Sequence, residues 1–258
     1  MPFYSLPKES RIQLVKEINA DIHADLLNNI NYKILQYFAD DDTYIRKAAY
    51  NETGKIYLAN KDLRERILAL FEEFMENNNS DIRQTTINAA GEIGKTDFDI
   101  VERYFDKGLF DEHHSVRNAV IGSMKKIGEK NPVPLLNWAR KYLHHQDKEI
   151  RREICHGIEL RGRTHPQDIL PLLKELQHDK TARVRNTLVH VLGQISYKKD
   201  CLETVLNDLK TWENKDLVDD AIEEIIDVHD RYKNFAVMTQ AEAKKVISFN
   251  NFIIYKKK

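Results

Sequence analysis

The densest collection of groups able to do chemistry is one stretch, Ile150-Arg-Arg-Glu-Ile-Cys-His-Gly-Ile-Glu-Leu-Arg-Gly-Arg163. It offers a carboxylate (Glu159), an imidazole (His156) and the guanidiniums of Arg152, Arg161 and Arg163. Such a set can grip a polar partner through charge-assisted hydrogen bonds. A carboxylate among them can also stabilise positive charge that builds on a reacting group. Glu159 is therefore the one catalytic candidate, chosen by location alone, and whether the protein is an enzyme stays open. On a helix these residues would form one polar cluster. Arg161 stands where other parts of the chain place isoleucine, and a charge at a core position is costly unless paired. The competing reading ends the helix at Leu160 and leaves Arg161 in a loop.

Other chemistry is sparse. The adjacent pairs His113-His114 and His144-His145 cannot share a helix face, so neither is a ready ligand set, and no metal ligands are assigned. Cys155 and His156 diverge for the same reason, and Cys155 reads as a small core residue. The chain holds no G-x-x-x-x-G-K-[ST], G-x-G-x-x-G, G-x-S-x-G or C-x-x-C pattern. No small-molecule cofactor is implied.

The elements that must position the cluster follow from an internal repeat. An apolar residue followed by Arg recurs as Ile45-Arg46, Ile82-Arg83, Val116-Arg117, Ile150-Arg151 and Val184-Arg185, at spacings of 37, 34, 34 and 34. A further step of 34 reaches Val218, where the apolar frame survives and the Arg does not. Glycine-x-isoleucine follows as Gly54-Lys55-Ile56, Gly91-Glu92-Ile93 and Gly193-Gln194-Ile195, with Ile127 in phase. Anchor, +4 and +11 share one helical face, so each copy holds a helix of about four turns. An earlier apolar series, Leu70, Tyr104, Trp138, Leu172 and Leu206, is again spaced by 34 and marks an outer helix in each copy. Pro132 and Pro166 suit the first turn of outer helices. Asp42 and Asp147 suit N-caps, and Thr239-Gln-Ala-Glu242 is a capping-box match.

A fixed period of this size signals a repeat architecture in which neighbours stack, because one hairpin cannot bury its own apolar face. The expected fold is all-α: a right-handed α-α superhelix of about six helical hairpins with capping helices. It is read as a single domain over 1–258, with N-terminal cap helices in 1–39, repeats in 40–231, and a C-terminal cap and tail in 232–258. The tail from Phe249 is expected to cover the last repeat, with docking on a partner as the alternative.

The inner helices should then line a concave side, and offsets +2, +6, +9 and +13 share its exposed face. That stripe is rich in mixed donors and acceptors: Asn51, Gln84, Asn88, Asn118, Arg152, His156, Glu159, Arg163, Asn186 and His190, opened by several glycines. With Arg161 these are the candidate binding residues. The partner would be a protein segment or a nucleic acid. The Arg ladder from Arg46 to Arg185 is assigned a structural task, because a charge that recurs beside a buried anchor needs a local partner.

Bulk properties set limits. A net charge of -1 argues mildly against a dedicated nucleic-acid binder. Two cysteines make no disulfide framework, and no apolar run spans a membrane, so a cytoplasmic location is expected. The opening MPFYSLPKES has no signal-peptide pattern.

The turn, the Val-Arg and the following Gly-x-Ile resemble HEAT-like repeats over roughly residues 40 to 230, including those of the bilin lyases; nothing besides the repeat points to a pigment. Residues 136–212 also resemble the HEAT-like DNA alkylation-repair glycosylases at Ile150-Arg151-Arg152, Leu170-Pro171-Leu172-Leu173, Val184-Arg185, Leu192 to Ile195 and Trp212. That resemblance implies a basic concave cradle for duplex DNA and a carboxylate beside aromatic side chains that helps expel a cationic base. The chain departs at the decisive point. Trp138 and Trp212 are its two tryptophans, and no Asp aligns beside either. The first reading is therefore a non-catalytic binding scaffold, with DNA repair or other DNA binding as the alternative.

Overall fold

A computed structural model describes residues 2–252. The apolar tail from Ile253 onward lies outside the described residues, so the two expectations for it are not addressed. Among the described residues all regular structure is helical, and no strand occurs. The fold is the all-α, HEAT-like helical-hairpin fold of the α-solenoid class.

The chain divides into two compact units, Met1–Asn131 and Pro132–Lys258. The first holds α1 (Lys8–Leu27), α2 (Tyr32–Phe38), α3 (Thr43–Ala59), α4 (Arg64–Met75), α5 (Ser80–Gly94), α6 (Phe98–Leu109) and α7 (His114–Lys130). Its hairpins are α2–α3, α4–α5 and α6–α7. The second helices α3, α5 and α7 pack side by side in that order, and α1 packs on α3. The second unit holds α8 (Pro132–Arg140), α9 (Lys148–Gly157), α10 (Glu159–Gly162), α11 (Pro166–Glu175), α12 (Ala182–Gln194), α13 (Cys201–Leu209), α14 (Lys215–Arg231) and α15 (Gln240–Phe249). Here the second helices α9, α12 and α14 pack in sequence, and α15 covers α13 and α14.

The repeat frame accounts for this packing. Ile82, Val116, Ile150, Val184 and Val218 are buried, as are the +4 residues Ala49, Thr86, Val120, Ile154, Leu188 and Ile222. Ile45 departs and is half-buried. All five outer-helix markers from Leu70 to Leu206 are buried. Each such large side chain stabilises the stack by about 1.5–3 kcal/mol when fully buried. The caps form as their residue types require. Asp42 and Asp147 accept from the backbone N–H of Tyr44 and Glu149, and Thr239 and Glu242 close a capping box.

The Arg ladder ties the turns. The Nη1 atoms of Arg46, Arg83, Arg117 and Arg151 donate to the carbonyls of Asp40, Asn77, Asp111 and His145, six residues back in each case. Arg83 also clasps the Asp111 carboxylate with Nε at 2.7 Å and Nη2 at 2.9 Å. Arg151 repeats this on Asp179, with Nε at 2.6 Å. These turn carboxylates lie 28 residues after their arginines, so each pair fastens one hairpin to the next. Burial works against ionisation of Asp111 and Asp179, and the arginine bonds outweigh it, holding both carboxyls below their ordinary range. Arg185 departs by pairing with the exposed Asp220.

Candidate functional site

The residues expected on the stripe are placed differently in the two units. In the first, Asn51 on α3 and Gln84 and Asn88 on α5 are half-buried, while Asn118 on α7 is exposed. Gln84 is partly structural: its Oε1 lies 3.4 Å from Arg46 Nη2, and its Nε2 donates to the Ser115 carbonyl at 3.3 Å. Asn88 reaches back to the Gln84 carbonyl. Asn51 lines a cavity of about 730 Å³ with Lys47, Lys95, Glu52, Glu92, Tyr4, Tyr44 and Leu58. Its wall toward the N-terminus is an aromatic corner, Tyr4 edge-on to Tyr44 with ring centroids 4.3 Å apart. The segment carrying it is tied down by the Phe3 N–H donating to Asp42 at 2.5 Å. Sequence reasoning missed Tyr4 and Tyr44, because neither lies on the repeat offsets it followed. Lysines here stand among carboxylates: Lys55 bonds Glu52, and Lys95 and Lys126 reach Glu92.

Of the stripe's four glycines only Gly122, half-buried, has open space where a Cβ would stand. Gly54, Gly91 and Gly193 are buried where one second helix meets the next. A Cβ on Gly54 would lie 2.6 Å from Glu92 Cβ, and one on Gly193 would lie 2.6 Å from Glu224 Cγ. These positions need glycine for close helix approach. Tyr197, at offset +13 from Val184, is buried and stacks on Tyr232 at 5.5 Å.

The second unit resolves the polar stretch, and it corrects the expectation of one cluster. α9 ends at Gly157, and α10 resumes at Glu159 with a changed phase. Arg161 is therefore neither in the core nor in a loop. It sits on α10, half-buried, with Nε 2.7 Å and Nη2 2.6 Å from Asp168. That turns it away from the other candidates, toward a shallow groove beside Val133 and Arg140. Arg152 bonds Glu149 at 3.0 Å and approaches Glu153 at 3.4 Å. What remains together is His156, Glu159 and Arg163, joined by residues from the next repeats. Arg163 donates from Nε at 3.0 Å and Nη2 at 2.5 Å to Glu159 Oε1, and from Nη2 to Gln194 Oε1 at 2.7 Å. His156 Nε2 lies 3.2 Å from Glu159 Oε2.

His190 stands beside His156, ring centroids 6.3 Å apart, with its Nδ1 3.7 Å from Glu224 Oε1. Burial would raise the Glu224 carboxyl pKa, and bonds from His190 and Arg231 outweigh it, so it lies below its ordinary value. Ligand atoms of His156, Glu159 and His190 lie within 4.8 Å of one another. Sequence reasoning looked for ligands in adjacent histidine pairs and missed this one. The signal was present: His156 and His190 are 34 residues apart, one repeat. Asn186 is exposed on the same helix as His190.

The features of a base-excision site are absent where the sequence offered them. Glu159 is only 1% exposed. Trp138 and Trp212 are core residues, 0% and 1% exposed, so neither can wall a pocket for an extruded base. Asp208 does stand beside Trp212, accepting from its Nε1 at 2.7 Å, and this contact serves the packing of α13. Cys155 is buried, and burial drives its thiol pKa far up, which leaves it inert as a nucleophile.

No family model matches the chain, and no curated protein matches it either. Solved structures do. AlkD2 from Streptococcus mutans is 18% identical with a TM-score of 0.50, covering 67% of this chain and 88% of its own. A second Streptococcus mutans protein, smu.31 of strain UA159, is 19% identical with a TM-score of 0.50, covering 73% and 97%. The archaeal HEAT-like repeats protein from Thermococcus onnurineus NA1 is 16% identical with a TM-score of 0.43, covering 93% and 96%. At these identities the likeness is one of fold. No helix among the described residues is long and apolar enough to cross a membrane.

Proposed function

We propose that the protein is a non-catalytic binding scaffold that holds a segment of a protein partner on the face lined by its second helices. One observation carries this reading: the cations of that face are interleaved with carboxylates. Lys55 and Lys95 stand against Glu52 and Glu92, Arg152 against Glu149, Arg163 against Glu159, and Arg231 against Glu224. A duplex presents one charge per about 1.7 Å of its axis and is bound by cations free to release its counterions. A surface of paired charges suits a peptide, whose own side chains and backbone offer both donors and acceptors. The cavity beside Tyr4 and Tyr44 would take the anchoring apolar side chain, since anchors sit in desolvated aromatic pockets. In the first unit Asn51, Asn88 and Asn118 would serve as polar contacts.

DNA binding is the alternative, supported by the resemblance in residues 136–212 and by the fold likeness to AlkD2. Two titrations separate them. Labelled duplex DNA, followed by fluorescence anisotropy at low salt, is expected to give no saturable binding. Selection from a displayed random-peptide library is expected to yield peptides with an aromatic or branched apolar anchor, whose binding Tyr44→Ala and Asn51→Ala weaken. DNA binding that falls steeply with salt, together with no selected peptide, would replace this reading with the nucleic-acid one.

A further inference from the structure

We propose that His156, Glu159 and His190 bind a single divalent transition-metal ion, with Zn²⁺ the best match to the donors. The argument begins with the repeat. His156 and His190 each stand six residues after their anchors, Ile150 and Val184. α9 and α12 pack side by side, so equal offsets bring the two imidazoles face to edge, 6.3 Å apart at their centroids. Glu159 joins them because it follows His156 by three residues across the α9–α10 junction, with Oε2 3.2 Å from His156 Nε2.

Two imidazoles and one carboxylate are the donor set of many three-ligand zinc sites, and they leave a fourth position open to solvent. Nitrogen and oxygen ligands at roughly 2.0–2.2 Å from one ion stand about 3.3 Å from one another in a tetrahedron. The three candidate atoms already lie within 4.8 Å of one another, so modest side-chain rotation closes the set. Access and rigidity are divided suitably. The side chains of His156 and His190 are 34% and 43% exposed, which admits an ion, while that of Glu159 is 2% exposed and fixed.

The surroundings orient the ligands as metal sites require. Arg163 binds Glu159 Oε1, and Oε2 faces the His156 imidazole. Glu224 Oε1 stands 3.7 Å from His190 Nδ1, which fits Nε2 as the ligating atom. The site uses residues of the second unit alone and does not depend on which partner the scaffold holds.

The test is isothermal titration of ZnCl₂ into the untagged, metal-stripped full chain near neutral pH. One ion per chain is expected, with His156→Asn and His190→Asn each weakening binding by about 100-fold or more, beyond the effect of losing an outer-shell partner. Both histidines are partly exposed, and far-UV circular dichroism checks that the variants stay folded. Co²⁺ loading should give visible ligand-field bands of a nitrogen and oxygen site, lost in His190→Asn. No saturable binding would overturn the proposal. So would one-to-one binding with unchanged affinity in folded His156→Asn and His190→Asn, since the ion would then reside elsewhere. If either variant unfolds, diethylpyrocarbonate modification of the wild-type chain mapped by peptide mass spectrometry decides the matter: Zn²⁺ should protect His156 and His190 and leave exposed histidines such as His113 reactive, and no such protection would overturn the proposal.

Discussion

In the first unit the column six residues after each anchor holds Asn51, Asn88 and Gly122; in the second it holds His156, His190 and Glu224. The backbone beneath is the same hairpin in both, with the same ladder bonds from arginine to the carbonyl six residues back. One column presents amides beside an aromatic cavity, the other a stack of titratable groups. The difference shows which positions the repeat constrains. Anchor, +4 and the ladder arginine face other repeats and are held by packing and by buried charge pairing. The +6 column faces outward in each unit, and its chemistry is free to change without disturbing the stack.

The strongest way to break this comparison is to attack what the units share. Arg83→Ala and Arg151→Ala each strand a largely buried aspartate, and each should cost about 3–5 kcal/mol in urea unfolding. Arg185→Ala, whose partner Asp220 is exposed, should cost about 1 kcal/mol or less. Costs of about 1 kcal/mol or less at all three would mean that the ladder does not fasten the turns. A second experiment sharpens what the units do not share. Tyr44→Ala should weaken binding of a selected peptide by about 2 kcal/mol or more, as expected for an aromatic anchor, without changing the melting temperature. The same truncation at His190 should leave peptide affinity within about threefold, by the rule that most contacts outside anchors are near neutral.

Smaller effects test the helix approach. Gly54→Ala meets Glu92 at its Cβ, which cannot swing away, and should cost about 1–3 kcal/mol. Gly193→Ala meets Glu224 farther out along a flexible side chain, and its cost should be the lower of the two in thermal melts. The smallest effect is one of pH. His229 on α14 is buried, and burial lowers its pKa against the bond from Nδ1 to the Ile225 carbonyl at 2.7 Å. Its folded pKa lies below the unfolded value, so the unfolded chain takes up the proton first. The stability tied to its neutral form is present above the unfolded pKa of about 6.5 and is lost as pH falls through it. His23, His113 and His114 of the first unit are not buried. Mild acid should therefore lower amide protection factors in α14 before α5, and His229→Leu should reduce that contrast.

The sequence by itself determined the hairpins and their order, because a 34-residue period of buried residues leaves the chain few other ways to cover its apolar faces. Caps, outer-helix prolines and the task of the arginine ladder were legible for the same reason: each is a local or one-repeat relation. Tertiary structure alone decided the rest. The break after Gly157 turned Arg161 to Asp168, away from Glu159, and a change of helical phase leaves no mark in residue types. Gly54, Gly91 and Gly193 proved to be contact points and Gly122 did not, since only the distance between packed helices tells a gap from a close approach. The aromatic cavity arose because the segment around Phe3 and Tyr4 folds back on α3, a contact across about forty residues that no periodicity encodes. The meeting of His156 with His190 lies between these cases: the period carries it, but only the packing of α9 against α12 turns equal offsets into neighbouring nitrogen atoms.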